Sequence, residues 1–171
     1  MILLYVYYYI HISYIFKMPM KANVSNSISV SDLIGDIEKA SKNLHKCRKR
    51  YCKTQYDEYN TQEAKKLEDM KKILTQKNIP ADFKKAVDNL NRKSIESKIT
   101  ELLTYCSIEK CEVEIRNLID SLLKSSTYFC NHDNDEIECE VKKNAEAILK
   151  KKNLTPSDYT SFVKLLILRQ K

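Results

Sequence analysis

Residues 29–53 read SVSDLIGDIEKASKNLHKCRKRYCK, and their spacing decides the fold class. Leu33, Ile37, Ala40, Leu44, Cys47 and Tyr51 recur in alternating steps of four and three. That is the seam of an α-helix lying lengthwise on another helix. The start is written as well: Ser29 with Asp32 reads as an N-cap with an acidic residue at N3, and Ile28 can staple against Leu33. Beyond Tyr51 the phase slips. The stripe resumes at Cys52, Tyr56 and Tyr59, then at Leu67, Met70 and Leu74. Either one long N-terminal helix reaches Lys77 with a stutter near Cys52, or the rod breaks near Tyr59-Asn60-Thr61.

The rest of the chain repeats this grammar. Asn78-Ile79-Pro80 ends the first element, because a residue before proline is pushed out of the helical region. A short helix over 81–92 carries Phe83, Val87 and Leu90 on one face. Ile95, Ile99, Leu102 and Cys106 continue the pattern, and Ile108, Cys111, Ile115, Leu118 and Leu122 carry it to Phe129, as two helices or one kinked rod. Asn131-His132-Asp133-Asn134 reads as a turn, and Asp135 with Glu138 as a capping box opening a helix to about Lys152, with Ile137, Val141, Ala145 and Ile148 inward. Thr155, Pro156 and Asp158, flanked by Leu154 and Tyr159, satisfy the cap, proline and staple rules together for a last helix to Gln170. Its run Phe162-Val163 and Leu165-Leu166-Ile167-Leu168 is apolar nearly all round, so it is either central in the bundle, the blander reading, or covered by a partner chain.

Composition agrees. The chain has 171 residues with one Gly (Gly35) and three Pro, too few for the tight turns of a β-sandwich or barrel. The same scarcity removes the P-loop, the dinucleotide-binding turn and the nucleophile elbow, each of which needs glycine for close backbone approach. The expectation is an all-α bundle of five or six helices, one domain over 29–170. Ahead of it, 18–28 is a small, polar arm. Residues 2–16, ILLYVYYYIHISYIF, are apolar and uncharged. As a helix that leader is about 22 Å long, short of a hydrocarbon core, and it lacks the flanks of a secretory signal. It reads as an artefactual start, an anchor or a packing segment.

Six cysteines form three doublets: Cys47/Cys52, Cys106/Cys111 and Cys130/Cys139. Zinc is disfavoured, since residues five apart on a helix point about 140° from each other and no knuckle glycine is present. His45 and His132 could make up mixed sites with Cys47 or with Cys130 and Cys139, but again without a knuckle glycine. For disulfides, two antiparallel helices with one doublet each can pair in nested fashion, outer with outer and inner with inner. Cys47/Cys52 with Cys106/Cys111 is one such arrangement, leaving Cys130 and Cys139 to clip the turn between their helices. Spacing alone does not select it from the many connectivities of six cysteines, and ordinary reduced thiols are the competing reading.

Charge is patterned too, with a net of +7. Lys42, Lys46, Arg48, Lys49, Arg50 and Lys53 occur with no acid among them, and Lys42, Lys46, Lys49 and Lys53 share one face. The bland reading is a solvated outer face; the sharper one is sequence-independent binding of nucleic-acid phosphates. Asp133, Asp135, Glu136, Glu138 and Glu140 form an acidic counterpart, able to attract that ridge within the bundle or on a neighbouring copy. Ile137 at a ligand place and the missing glycine argue against a calcium loop. No H-E-x-x-H occurs, the three His (His11, His45, His132) are scattered, and no C-x-x-C is present, so an enzyme is not expected.

The run Lys46-Cys47-Arg48-Lys49-Arg50-Tyr51-Cys52-Lys53 resembles uncharacterised Lys-rich helical proteins of large A/T-rich nucleocytoplasmic DNA viruses. The resemblance covers about a tenth of the chain. It implies a virion or virus-factory setting, where virus-encoded thiol oxidation supplies disulfides. In outline the chain is also similar to the twin-doublet helical hairpins of the mitochondrial intermembrane space, but those use intervals of three or nine residues. The function expected is a disulfide-stapled structural or interaction protein without catalysis, cofactor or metal. Its partner would be another protein or a second copy, with no small-molecule substrate and a membrane only through residues 2–16. The alternatives are a nucleic-acid-binding module using the basic helix, and a thiol redox or metal protein centred on the doublets.

Overall fold

The computed structural model describes residues 29–75, 83–133 and 135–168. The readings of the leader, the arm, the Asn78-Ile79-Pro80 stop and the end of the last helix fall outside them. Seven helices, not five or six, make up the described chain: α1 Val30–Tyr51, α2 Lys53–Leu74, α3 Phe83–Ile95, α4 Lys98–Lys110, α5 Glu112–Asp133, α6 Glu136–Leu149 and α7 Pro156–Leu168. No strand occurs among the described residues.

The expected long first helix is divided at Cys52, where φ is −122° and ψ is 38°. The phase slip explains the division. The inward row of α1 is Leu33, Ile37, Ala40, Leu44 and Cys47, and Tyr51, the next position in that register, is 54% exposed. Cys52 and Tyr56 are buried in its place, and only a bend lets both rows face inward. Backbone bonds flank the bend, from Cys52 N–H to the Arg48 carbonyl at 2.9 Å and from Tyr56 N–H to the Cys52 carbonyl at 2.8 Å. Residues Tyr59-Asn60-Thr61 are continuously helical.

Cys111 repeats the device between α4 and α5, with φ −132° and ψ 30°. Here too the second cysteine of a C-x4-C doublet is the residue at which the rod bends. The molecule therefore contains two bent rods, α1–α2 and α4–α5. α1 packs lengthwise on α5, and α2 packs on α4.

Two bodies of apolar side chains result. The main core joins Ile37, Leu44 and Cys47 of α1, Ile115, Ile119 and Leu122 of α5, Val141, Ala145 and Ile148 of α6, and Phe162 of α7. A lateral body lies under α2, with Cys52, Tyr56 and Leu103 in one cluster and Met70 and Val87 in another. At about 25 cal/mol per Å² of apolar area, the fully buried residues of the main core are the largest favourable contribution to folding.

Several inward positions differ from the spacing. Leu102 is 45% exposed while Leu103 is buried, so the inward row of α4 is shifted by one position. Ile137 is 41% exposed and Glu138 takes its inward place. Of the expected turn at Asn131–Asn134, Asn131, His132 and Asp133 are helical, since α5 continues to Asp133. Among the side chains of α7 whose burial is described, Phe162 alone is fully buried; Val163, Leu165, Leu166 and Ile167 are half-buried, so this stretch lies on the flank of the bundle and not at its centre.

The caps follow the sequence more closely. Ser29 and Ser97 accept from the Asp32 and Thr100 amides, and Asp135 accepts from the Ile137 and Glu138 amides. At α7 the box is reciprocal: the Asp158 amide donates to Thr155 Oγ1 at 3.2 Å, and Thr155 N–H and Oγ1–H donate to the Asp158 carboxylate at 3.2 and 2.8 Å. Arg116 of α5 closes the α6–α7 link by donating to the carbonyls of Leu149, Lys151 and Lys152.

Candidate functional site

The six cysteines form three cystines, with none free. Cys47 bonds Cys111 and Cys52 bonds Cys106, with Cα atoms 6.0 and 5.9 Å apart. This is the nested arrangement, outer with outer and inner with inner, among those the spacing allowed. Each bond joins a cysteine inside one rod to the cysteine at the bend of the other. Cys47 and Cys111 belong to the main core, and Cys52 and Cys106 to the lateral cluster. The pair therefore forms a covalent belt across the junction between the two bodies. Cys47, Cys52 and Cys111 are buried, and Cys106 is half-buried. The third cystine, Cys130–Cys139, has Cα atoms 4.8 Å apart and clips the end of α5 to the first turns of α6.

The Glu114 carboxylate lies within 4.8 Å of both Cys47 and Cys111 sulfurs. With those sulfurs bonded to each other, neither is a thiolate, so the group is no metal-ligand set in this state.

Arg48 reinforces the belt from the side. Its Nε donates to Ser107 Oγ at 2.8 Å and an Nη to the Tyr159 hydroxyl at 3.0 Å. Its guanidinium also lies 5.8 Å from the centre of the Tyr159 ring. One side chain of α1 thus holds α4 and α7. Nearby, the buried Tyr56 hydroxyl bonds the His45 ring, with 2.7 Å to Nε2, across the Cys52 bend. Burial and the neighbouring positive charges of Lys49 and Arg48 hold the His45 pKa below its ordinary value.

A second buried polar group joins α2 to α3. Glu63 is 6% exposed, the Ser94 hydroxyl donates to its carboxylate, and Lys66 Nζ lies 3.7 Å from the same oxygen. Burial depresses the Lys66 pKa against the attraction of Glu63. Burial and the Glu63 charge raise that of Tyr59. The polar groups satisfy one another, so the cluster fixes the packing of α3 on α2.

The basic candidates separate into two groups. Lys42, Lys46, Lys49 and Arg50 are exposed on the outer side of α1. Arg48 leaves that set, because its guanidinium is taken up by Ser107 and Tyr159. Lys53 lies past the bend on α2 and pairs with Asp57 at 2.5 Å. Lys42 pairs with Glu38 at 3.8 Å, and Arg50 lies over the Tyr51 ring at 5.0 Å. The acidic counterpart is split as well: Asp133, Asp135, Glu136 and Glu140 are exposed and Glu138 is buried. The resolved ion pairs of the ridge are local to its own helices.

No family model, curated protein or solved structure matches the chain. Among the described residues no helix is long and apolar enough to cross a membrane.

Spacing missed the Glu63–Lys66–Ser94 group, because nothing in a heptad count flags a buried carboxylate. The tie made by Arg48 was signalled more clearly. In helical projection it sits about 100° from Lys49, toward the Cys47 seam, and so could not share the outer ridge.

Proposed function

We propose that this protein is a non-catalytic structural or interaction protein, a helical scaffold braced by cystines and suited to a thiol-oxidising setting such as a virion or virus factory. The observation that carries the reading is the nested belt, Cys47–Cys111 within Cα distances of 6.0 Å and Cys52–Cys106 within 5.9 Å, spanning two apolar bodies. Loop-closure entropy assigns about 4 kcal/mol to a first bond closing so long a loop. A second, nested bond closes only the short ring left between the doublets and adds about 3 kcal/mol. Such a belt stabilises a surface that a small core alone would leave marginal.

A thiol redox protein is the rival that the same cysteines offer. Redox cystines open near physiological potentials, whereas structural ones resist until below about −300 mV. Equilibration of the oxidised chain in graded thiol–disulfide buffers, with trapped thiols mapped by mass spectrometry, separates the two. The scaffold reading predicts that Cys47–Cys111 and Cys52–Cys106 stay closed down to about −300 mV. Reversible opening of either near −200 mV, with turnover of a model disulfide, supports the redox rival.

A further inference from the structure

The outer side of α1 is organised for a polyanion. Lys39, Lys42, Lys46, Lys49 and Arg50 are all exposed, and in helical projection they fall within an arc of about 100°. They extend along about 16 Å of the helix, opposite the row Leu33, Ile37, Ala40, Leu44 and Cys47 that packs inward. Between Lys39 and Arg50 the arc holds no acid; Glu38, about 20° outside it, pairs with Lys42 at 3.8 Å, and Asp32 falls on its edge in the first turn of α1. Lys39 was absent from the sequence-based set and belongs here by position, whereas Arg48 and Lys53 do not.

The charge of the face points to its occupant. Protein interfaces rest on apolar or aromatic anchors in a desolvated centre. The large exposed hydrophobic side chains among the described residues are Tyr51, Leu102, Tyr105, Val113 and Ile137. None lies within the arc; Tyr51 borders its C-terminal end, with the Arg50 guanidinium over its ring at 5.0 Å. The four lysines Lys39, Lys42, Lys46 and Lys49 form a row of cations with no apolar anchor among them, which matches a phosphate backbone, recognised by charge. We infer that the outer face of α1 binds the phosphate backbone of nucleic acid without sequence preference. This goes beyond the scaffold reading and does not depend on the redox state of the protein.

The test is fluorescence anisotropy of the oxidised full chain with labelled duplexes of two unrelated sequences, across a salt series. Three to five neutralised phosphates predict log–log slopes of about −3 to −4, equal for the two sequences. The variant Lys46→Glu/Lys49→Glu should lose at least tenfold in affinity and flatten the slope by about 2. Lys65→Glu/Lys71→Glu, which makes the same charge change at exposed positions of α2, should bind like the parent. Circular dichroism confirms that each variant is folded. Absence of binding at low salt overturns the inference, as does equal loss in both variants. Binding only to vesicles of anionic lipid, or only to a second copy of the chain, overturns it too. None of these failures would alter the thiol map that tests the scaffold reading.

Discussion

Arg48 shows how one side chain can be misassigned by composition and corrected by geometry. It sits in a run of bases, yet its guanidinium is committed to Ser107 and Tyr159. Hydrogen bonds from a charged group are worth about 1.5 to 3 kcal/mol each when partly buried. Arg48→Ala should therefore cost about 2 to 3 kcal/mol in urea denaturation. Arg48→Lys should recover little of this, since an ammonium cannot reach two partners in fixed directions. His45 supplies a pH signature. Its folded pKa is held below the ordinary 6.5, chiefly by burial, so the unfolded chain binds the proton more readily than the native one. Stability should then fall as pH drops from about 6.5 toward the folded pKa and level off below it. A His45→Gln variant should lose that component of the pH dependence in parallel denaturation series.

Elements are where the sequence was most legible. Each predicted cap at Ser29, Asp135 and Thr155 exists, because capping is decided by a few adjacent residues. Thr155→Ala should cost about 1 kcal/mol in thermal or chemical denaturation, the usual value for losing an N-cap hydroxyl. The positions that misled fit an inward spacing and are exposed: Tyr51, because the bend at Cys52 changes which side of the helix faces the core, and Leu102 and Ile137, whose neighbours Leu103 and Glu138 are buried in their place. A count of intervals records the phase slip but does not say how the chain resolves it. The nested pairing was likewise only one allowed arrangement, because connectivity depends on which helices are neighbours. The α5–α6 hairpin has its own staple in Cys130–Cys139, which closes a separation of 9 residues. Replacing both cysteines by Ser should cost about 2 to 3 kcal/mol. Amide exchange should quicken at the hairpin tip and leave the main core protected.

At the scale of the whole molecule, the belt couples the α1–α5–α6–α7 core to the α2–α3–α4 body. Its two bonds back each other up. If either is removed, the other still closes a loop of similar length, so Cys47→Ala/Cys111→Ala or Cys52→Ala/Cys106→Ala alone should cost about 3 kcal/mol. Removing both should cost about 7 kcal/mol, more than the sum of the two single removals. Additive losses in denaturant series would mean that the bonds act independently, without a shared loop. The measurement that reaches the central claim most directly is a thiol count by mass spectrometry on protein alkylated under native conditions before any reductant, followed by peptide mapping. A braced scaffold predicts no alkylated cysteine and the linked peptides Cys47–Cys111, Cys52–Cys106 and Cys130–Cys139. Alkylation of all six cysteines in the folded protein would contradict it.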